Sequence, residues 1–134
     1  MSFFKEIPVG TTRSTEFIDI TDHIQKALTE SKVKDGICYI LAPHTTAAVT
    51  VNENADRDVI EDIRKQLDKI IPLDDNYNHC EGNSAAHIKS SLIGSSKVVV
   101  VENNRLKFGT WQGIFFCEFD GPRSRKVWVK IIEG

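Results

Sequence analysis

The sequence lacks long apolar runs: none approaches the roughly 20 residues a membrane-crossing helix needs. Its N-terminus, MSFFKEIPVG, has neither the extended apolar segment nor the small-residue cleavage site of a secretory leader. Internal repeats, low-complexity tracts and linker-like segments are absent too. Charge of one sign is scarce: 17 Lys and Arg stand against 19 Asp and Glu, a net charge of −2. That balance gives no electrostatic case for nucleic acid or an anionic membrane as partner. Cysteines number three and form no CxxC pair. Cys38 and Cys117 sit inside apolar runs and read as buried free thiols, whereas Cys80 lies in a polar cluster, where a metal ligand or reactive thiol is an alternative. These absences predict one cytoplasmic domain spanning residues 1–134, long enough for a single hydrophobic core.

What is present reads as alternating elements. TTRSTEFIDI has β-branched residues in alternation and predicts a strand through Ile20. TDHIQKALTESK places Ile24, Ala27 and Leu28 at helical spacing, with Thr21 as N-cap. DGICYILA and TAAVTVN read as strands on either side of Pro43. NADRDVIEDIRKQLDKIIP is the clearest helix, with Ile60, Ile63, Leu67 and Ile70 on one stripe and Asn54 available to cap it. NSAAHIKSSLIG predicts a third helix, opened by Asn83, closed by Gly94 and buried through Ala85, Ile88 and Leu92. KVVVVE is a strand that ends at an Asn-Asn turn. WQGIFFCEFD and SRKVWVKII read as two strands of a hairpin joined by the turn chemistry of DGPRS. Apolar residues on both faces of the first of these, Trp111, Phe115 and Phe119 against Ile114 and Phe116, call for helices on one side and a neighbouring sheet or subunit on the other. The expected fold class is α+β, a mostly antiparallel sheet with three helices.

Four polar segments interrupt this pattern: PHTTAAVTVNEN, HCEGNSAAH, GTWQ and DGPRSR. His23 reads as a surface residue. His44 ends an apolar strand, and His79 and His87 bracket the start of the third helix; each has a bland reading as a turn or half-buried histidine. Grouped, they suggest three nitrogen ligands for zinc or a similar metal, with an open position for water. Glu53 and Glu81 are nearby acids suited to proton transfer or to supporting a histidine, and equally to capping. Gly82, Asn83 and Ser84 open a helix whose unpaired N–H groups suit an anion, unless Asn83 caps them itself. Arg123 and Arg125 fall on the core-facing side of the last strand and need partners: Glu118 and Asp120, or a bound phosphate. In GTWQ, Trp111 reads as core or interface, and Gln112 points the opposite way.

Together, PHTTAAVTVNEN, HCEGNSAAHIKSSLIGSS and LKFGTWQGIFFCEFDGPRSRKVWV resemble the small YjbQ-like proteins, and the resemblance runs from about Thr12 to the end of the chain. It implies a compact α+β domain that assembles as a homotrimer and, as for some members, a weak thiamine-phosphate synthase activity. That reaction joins a pyrimidine diphosphate to a thiazole phosphate and releases pyrophosphate. The family's motif histidines fall at His44, His79 and His87, and its acidic and basic motif residues at Glu53, Asp120, Arg123 and Arg125. The resulting expectation is a metal-dependent enzyme acting on a small phosphorylated metabolite. His44, His79 and His87 would hold a divalent metal, zinc in first place and magnesium as the alternative. Glu53 and Asp120 would be catalytic, and Gly82, Asn83, Ser84, Gln112, Arg123 and Arg125 would bind substrate and phosphate. The rival readings are a metal-dependent hydrolase, a non-catalytic trimer that binds a phosphorylated metabolite, and a structural protein whose histidines merely pack.

Overall fold

A computed structural model describes all 134 residues. Eight strands and three helices follow one another as β1 (Ser2–Gly10), β2 (Glu16–Asp19), α1 (Thr21–Ser31), β3 (Gly36–Leu41), β4 (Ala47–Glu53), α2 (Arg57–Ile70), α3 (Ser84–Ile93), β5 (Ser96–Glu102), β6 (Arg105–Lys107), β7 (Gln112–Glu118) and β8 (Ser124–Glu133). They build two sheets, one of five strands in the order β1-β8-β3-β5-β6 and one of three in the order β2-β7-β4. Every pairing is antiparallel. The α+β expectation holds.

The period-two patterning of β7 decides the layers. Ile114 and Phe116 point toward the five-stranded sheet, where they join Val127, Val129, Ile131, Ile40 and α1 in the larger core. Phe115, Cys117 and Phe119 point the other way, onto Leu67, Ile71, Ala85 and Ala86 of the α2–α3 layer. One sheet therefore lies between a second sheet and a pair of helices, as the two apolar faces of β7 required. The outer face of the five-stranded sheet is left open, with Phe4, Tyr39, Val98, Val100 and Ile132 exposed on it. Cys38 and Cys117 are buried, as read from their apolar runs, and Cys80 is exposed. Burial pushes both buried thiols up to about 12.

Four local expectations are corrected. Strand β1 lies outside the predicted set; it pairs along its whole length with β8 and carries Ile7 and Val9 into the core. β7 and β8 are not a hairpin, because β7 belongs to the three-stranded sheet and β8 to the five-stranded one. The DGPRS segment, with a cis Gly121–Pro122 bond, carries the chain between sheets. A Cβ at Gly121 would stand 2.2 Å from the Arg13 carbonyl oxygen and 2.8 Å from Glu118 Cγ, so only glycine fits this crossing.

The α3 stripe is also turned. Its inward side is Ser84, Ala85, Ala86, Lys89 and Ser90, while Ile88 and Leu92 are exposed. Small side chains let the helix lie close on β4, where Ser90 Oγ donates to the Ala47 carbonyl at 2.7 Å. Lastly, the helix caps move. Asp56, not Asn54, caps α2 by accepting from the Asp58 amide at 2.9 Å, and Thr21 is the first residue of α1 rather than its cap.

Candidate functional site

The strand register sorts the candidate residues. In the β4–β7 pair, Ala47 lies opposite Glu118 and Glu53 lies opposite Gln112. Six residues of strand, about 20 Å, therefore separate Glu53 and Gln112 from the end that carries Asp120. The structure does not bring these two residues to the others. Gln112 Oε1 instead accepts from the Gly109 amide at 2.8 Å, and Glu53 Oε2 from the Asp56 amide at 3.1 Å. From Glu53 a cleft of about 970 Å³ runs along β2 beside α2 as far as Glu16, which pairs with Glu118, and is lined by Arg13, Asp19, Arg57, Arg64, Phe17 and Phe115 among others. Trp111 precedes β7 and stands 62 % exposed, so it is not core.

The opposite end gathers most of the candidates around Glu118, which the sequence offered as a partner for the two arginines. Glu118 is fully buried. Its Oε1 accepts from Arg125 Nε at 2.7 Å and Thr11 Oγ1 at 2.8 Å, while its Oε2 accepts from Arg125 Nη2 and from the Asp120 amide at 3.0 Å. Burial acts to raise its pKa, but these donors prevail and hold it below the usual carboxylate range. Arg125, itself buried, also donates to Thr46 Oγ1 at 2.8 Å. The guanidinium is thus consumed inside the protein, and Arg125 is withdrawn as a phosphate ligand: a core-facing arginine found a carboxylate, not an anion. One signal for Glu118 was present in the sequence. It is an acid on the same side of β7 as Ile114 and Phe116, which must be paired if it is buried.

Asp120 follows at the end of β7. Its Oδ2 accepts from Asn83 Nδ2 at 2.9 Å and Arg123 Nη2 at 3.0 Å. Partial burial raises its pKa, but Asn83 and Arg123 outweigh this and leave it lowered. Arg123 Nε donates to the Asp120 carbonyl at 2.8 Å, and the side chain remains about half exposed. Asn83 precedes α3 but makes no side-chain cap; its amide turns to Asp120, and its Oδ1 is buried without a partner. Self-capping by Asn83 therefore does not occur, and Ser84 follows it, buried, as the first residue of the helix.

Of the three histidines, two meet. The rings of His79 and His87 are 5.5 Å apart, edge to face at 88°. His79 is exposed and His87 half-buried, and Glu81 Oε2 lies 3.8 Å from His79 Nε2. His44 stands apart. Its Nε2 is 2.9 Å from the Lys126 carbonyl oxygen and 3.1 Å from the Lys126 amide nitrogen, and its ring packs edge-on to Phe116 at 6.3 Å. Desolvation, the largest influence, lowers its pKa, so it is neutral at pH 7. No three His, Cys, Asp or Glu side chains of the chain converge as a metal-holding group. Within one chain the structure brings His79 and His87 together and gives His44 partners of its own.

The family profile described as UPF0047 protein YjbQ-like matches residues 5–134. A UPF0047 protein of Methanocaldococcus jannaschii is 54% identical over 124 residues, covering 92% of this chain and 90% of that one. The UPF0047 protein YugU of Bacillus subtilis is 48% identical over 129 residues, covering 96% and 98%. Among solved structures, a member of the yjbq/upf0047 family from Clostridium acetobutylicum superposes with a TM-score of 0.94 at 56% identity, covering 96% of this chain and 99% of that one. A YbjQ-like protein of unknown function from Sulfolobus solfataricus superposes at 0.95 with 36% identity, covering 100% and 99%.

Proposed function

The chain belongs to the UPF0047 YjbQ-like family, and from that premise we propose that it is a metal-dependent enzyme acting on a small phosphorylated metabolite. The observation that carries the reading is the meeting of His79 with His87, which lies one helical turn along α3 from Asn83, the residue that holds Asp120 together with Arg123. Two imidazoles favour zinc over magnesium, which prefers oxygen ligands. Bound there, the metal supplies Lewis-acid polarisation of a phosphoryl oxygen.

The chain's own residues do the rest. Asp120 fixes the Arg123 guanidinium through Oδ2 and the backbone carbonyl, which leaves the outward Nη1 for a phosphate oxygen. The amides of Ser84 and Ala85 open the positive end of a ten-residue helix, and they add donors for the same charge. Asp120, ionised at neutral pH, orients Arg123 and is placed to receive a proton rather than to give one. In the thiamine-phosphate synthase version, these donors stabilise the departing pyrophosphate. In the hydrolase version they hold the phosphate of the substrate. Glu53 and Gln112 have no part in either version within one chain.

The reading takes the protein to be cytoplasmic, and no helix is long and apolar enough to cross a membrane. It also takes it to be a homotrimer, for which the open face of the five-stranded sheet offers an apolar surface. A non-catalytic phosphometabolite-binding trimer is the second reading. It is favoured by the mutual pairing of Asp120 with Arg123 and of Glu118 with Arg125, which leaves few groups free for chemistry.

The test combines metal analysis, calorimetry and a product assay. Purified protein is expected to carry zinc, to lose it in His79→Ala and His87→Ala, and to bind pyrophosphate at least tenfold more weakly in Arg123→Ala. Absence of zinc from the wild type sinks the metal site. Pyrophosphate binding without turnover, with pyrimidine diphosphate and thiazole phosphate or with phosphate esters, replaces the enzyme by the binding module.

A further inference from the structure

We infer that Arg13 is a second phosphate-binding arginine beside Arg123, and that the cleft running away from it along β2 holds the organic body of the metabolite. This rests on the phosphometabolite reading above and not on the metal.

Chain pairing brings the two arginines together. β1 and β8 pair with Gly10 opposite Ser124, and the two chain segments stay side by side beyond the strand ends. The Thr11 amide donates to the Arg123 carbonyl at 2.9 Å, and the Arg123 amide donates to Thr11 Oγ1 at 2.8 Å. The Arg13 carbonyl then lies against Gly121, and the Gly121 amide donates to the Ser14 carbonyl at 3.1 Å. Arg13 thus stands across from Gly121, two residues short of Arg123. Diagonal neighbours of an antiparallel pair are about 7–8 Å apart, within reach of long side chains. The bonds between the two turns fix both backbones, so only side chains need to be ordered when the two guanidiniums close on one anion.

Charge selects the same end of the cleft. Arg64 is claimed by Glu61 and Asp68, whereas Arg13 takes part in no ion pair and no side-chain hydrogen bond. The acids around Arg13 already have partners. Glu16 accepts from the Thr12 amide at 2.8 Å, Glu61 is held by Arg64, and Asp68 by Arg64 and Lys89. The Arg13 charge is therefore left for a ligand. The opposite end of the cleft sets Asp19, Glu53, Asp56 and Asp58 against Arg57 alone, and it repels a phosphate.

The lining between these ends suits the rest of the molecule. Phe17 and Phe115 both face the cleft. Phe17 packs edge-on to Phe119, the residue before Asp120, with ring centres 6.0 Å apart. A phosphate held by Arg13 and Arg123 thus has its ester group beside an aromatic surface, where an apolar or ring-bearing body loses contact with water.

Calorimetry on the full chain tests both halves. Arg13→Gln is expected to weaken pyrophosphate binding about tenfold or more, as loss of a charge-assisted hydrogen bond does, with Arg13→Lys regaining part of it. Arg57→Gln, at the acidic end, is expected to stay within about twofold of the wild type. Phenyl phosphate is expected to bind the wild type about tenfold more tightly than inorganic phosphate, and Phe17→Leu to remove most of that margin while leaving inorganic phosphate unchanged. Circular dichroism and urea midpoints check that each variant is folded. Wild-type affinity in Arg13→Gln, with binding lost in Arg123→Ala, overturns the role of Arg13 and leaves the phosphometabolite reading standing. A loss in Arg57→Gln but not in Arg13→Gln puts the anion at the other end and overturns it as well. Equal affinity for phenyl phosphate and inorganic phosphate overturns the placement of the body in the cleft. A wild type that binds neither pyrophosphate nor phenyl phosphate removes the phosphometabolite reading, and the role of Arg13 with it.

Discussion

The two ends of the three-stranded sheet are built from the same strand pair, yet they treat charge in opposite ways. At the β7 C-terminal end, Glu118 is buried with all four acceptor positions occupied, and Arg125 is buried with it. At the other end, Glu53 and Gln112 are held by nearby backbone amides, and charge is left to face an open cleft. Burial explains the contrast. Two sheets and the Thr11 and Thr46 segments close over Glu118, so an unpaired charge there would be costly, whereas water solvates the groups at the cleft. An acid or amide in a strand is therefore no guide to a shared site until its register is known.

The sharpest break of the comparison is removal of the buried carboxylate. Glu118→Ala leaves Arg125 charged, buried and short of its partner, and about 3–5 kcal/mol of stability is expected to be lost. The measurement is the urea midpoint at pH 7, with Glu118→Leu combined with Arg125→Met as the companion. If the double variant recovers most of the loss, the cost lies in the stranded charge; if it unfolds like the single one, the hydrogen bonds to Thr11, Thr46 and Asp120 are what hold this end together.

That buried hub also marks how far the sequence could be read. The helices, the central strands and the two-faced character of β7 follow from periodicity, because burial on each face leaves its own residue pattern. The pairing of Arg125 with an acid was open beside a phosphate alternative, since both satisfy the same need of a core-facing guanidinium. Two things were not legible. One was the destination of β8 after the DGPRS turn: Asp-Gly-Pro specifies that the chain turns, not which sheet it enters. The other was the inward face of α3. Ile88 and Leu92 are the larger apolar side chains, but Ser84, Ala85, Ala86 and Ser90 fill the close contact with β4, and Lys89 runs alongside to Asp68. Shape, which periodicity does not encode, overrode hydrophobicity. Likewise, grouping Glu53 with the histidines used residue type and motif membership, and neither carries distance.

A smaller effect is expected in acid. Glu118 and Asp120 both have folded-state pKa values lowered from their ordinary ones. For a carboxylate so shifted, the unfolded state binds more protons as pH falls, so the stabilisation is complete above the ordinary carboxylate range of about 4 and disappears as pH drops through the lowered values. Stability should therefore be flat in this respect from pH 7 to about 5 and fall below about 4. In Glu118→Gln the acid limb should be shallower, because one of the two groups no longer titrates. An acid limb of unchanged slope, measured by urea unfolding at a series of pH values, would assign the dependence to other carboxylates.

The smallest effect is expected at the cleft end, and it sharpens the contrast most. Glu53→Gln keeps an oxygen that can accept from the Asp56 amide and removes a charge from a partly exposed site. Stability should change by no more than about 0.5 kcal/mol, as for surface substitutions that break no cap or buried pair. Within one chain the variant should also leave zinc content and pyrophosphate affinity unchanged, because about 20 Å of strand lies between Glu53 and Asp120. Loss of pyrophosphate binding at unchanged stability would show that this distance is bridged by assembly. The cleft end of one subunit would then face the Asp120 end of the next, and the two ends that differ so much in one chain would be halves of a single site.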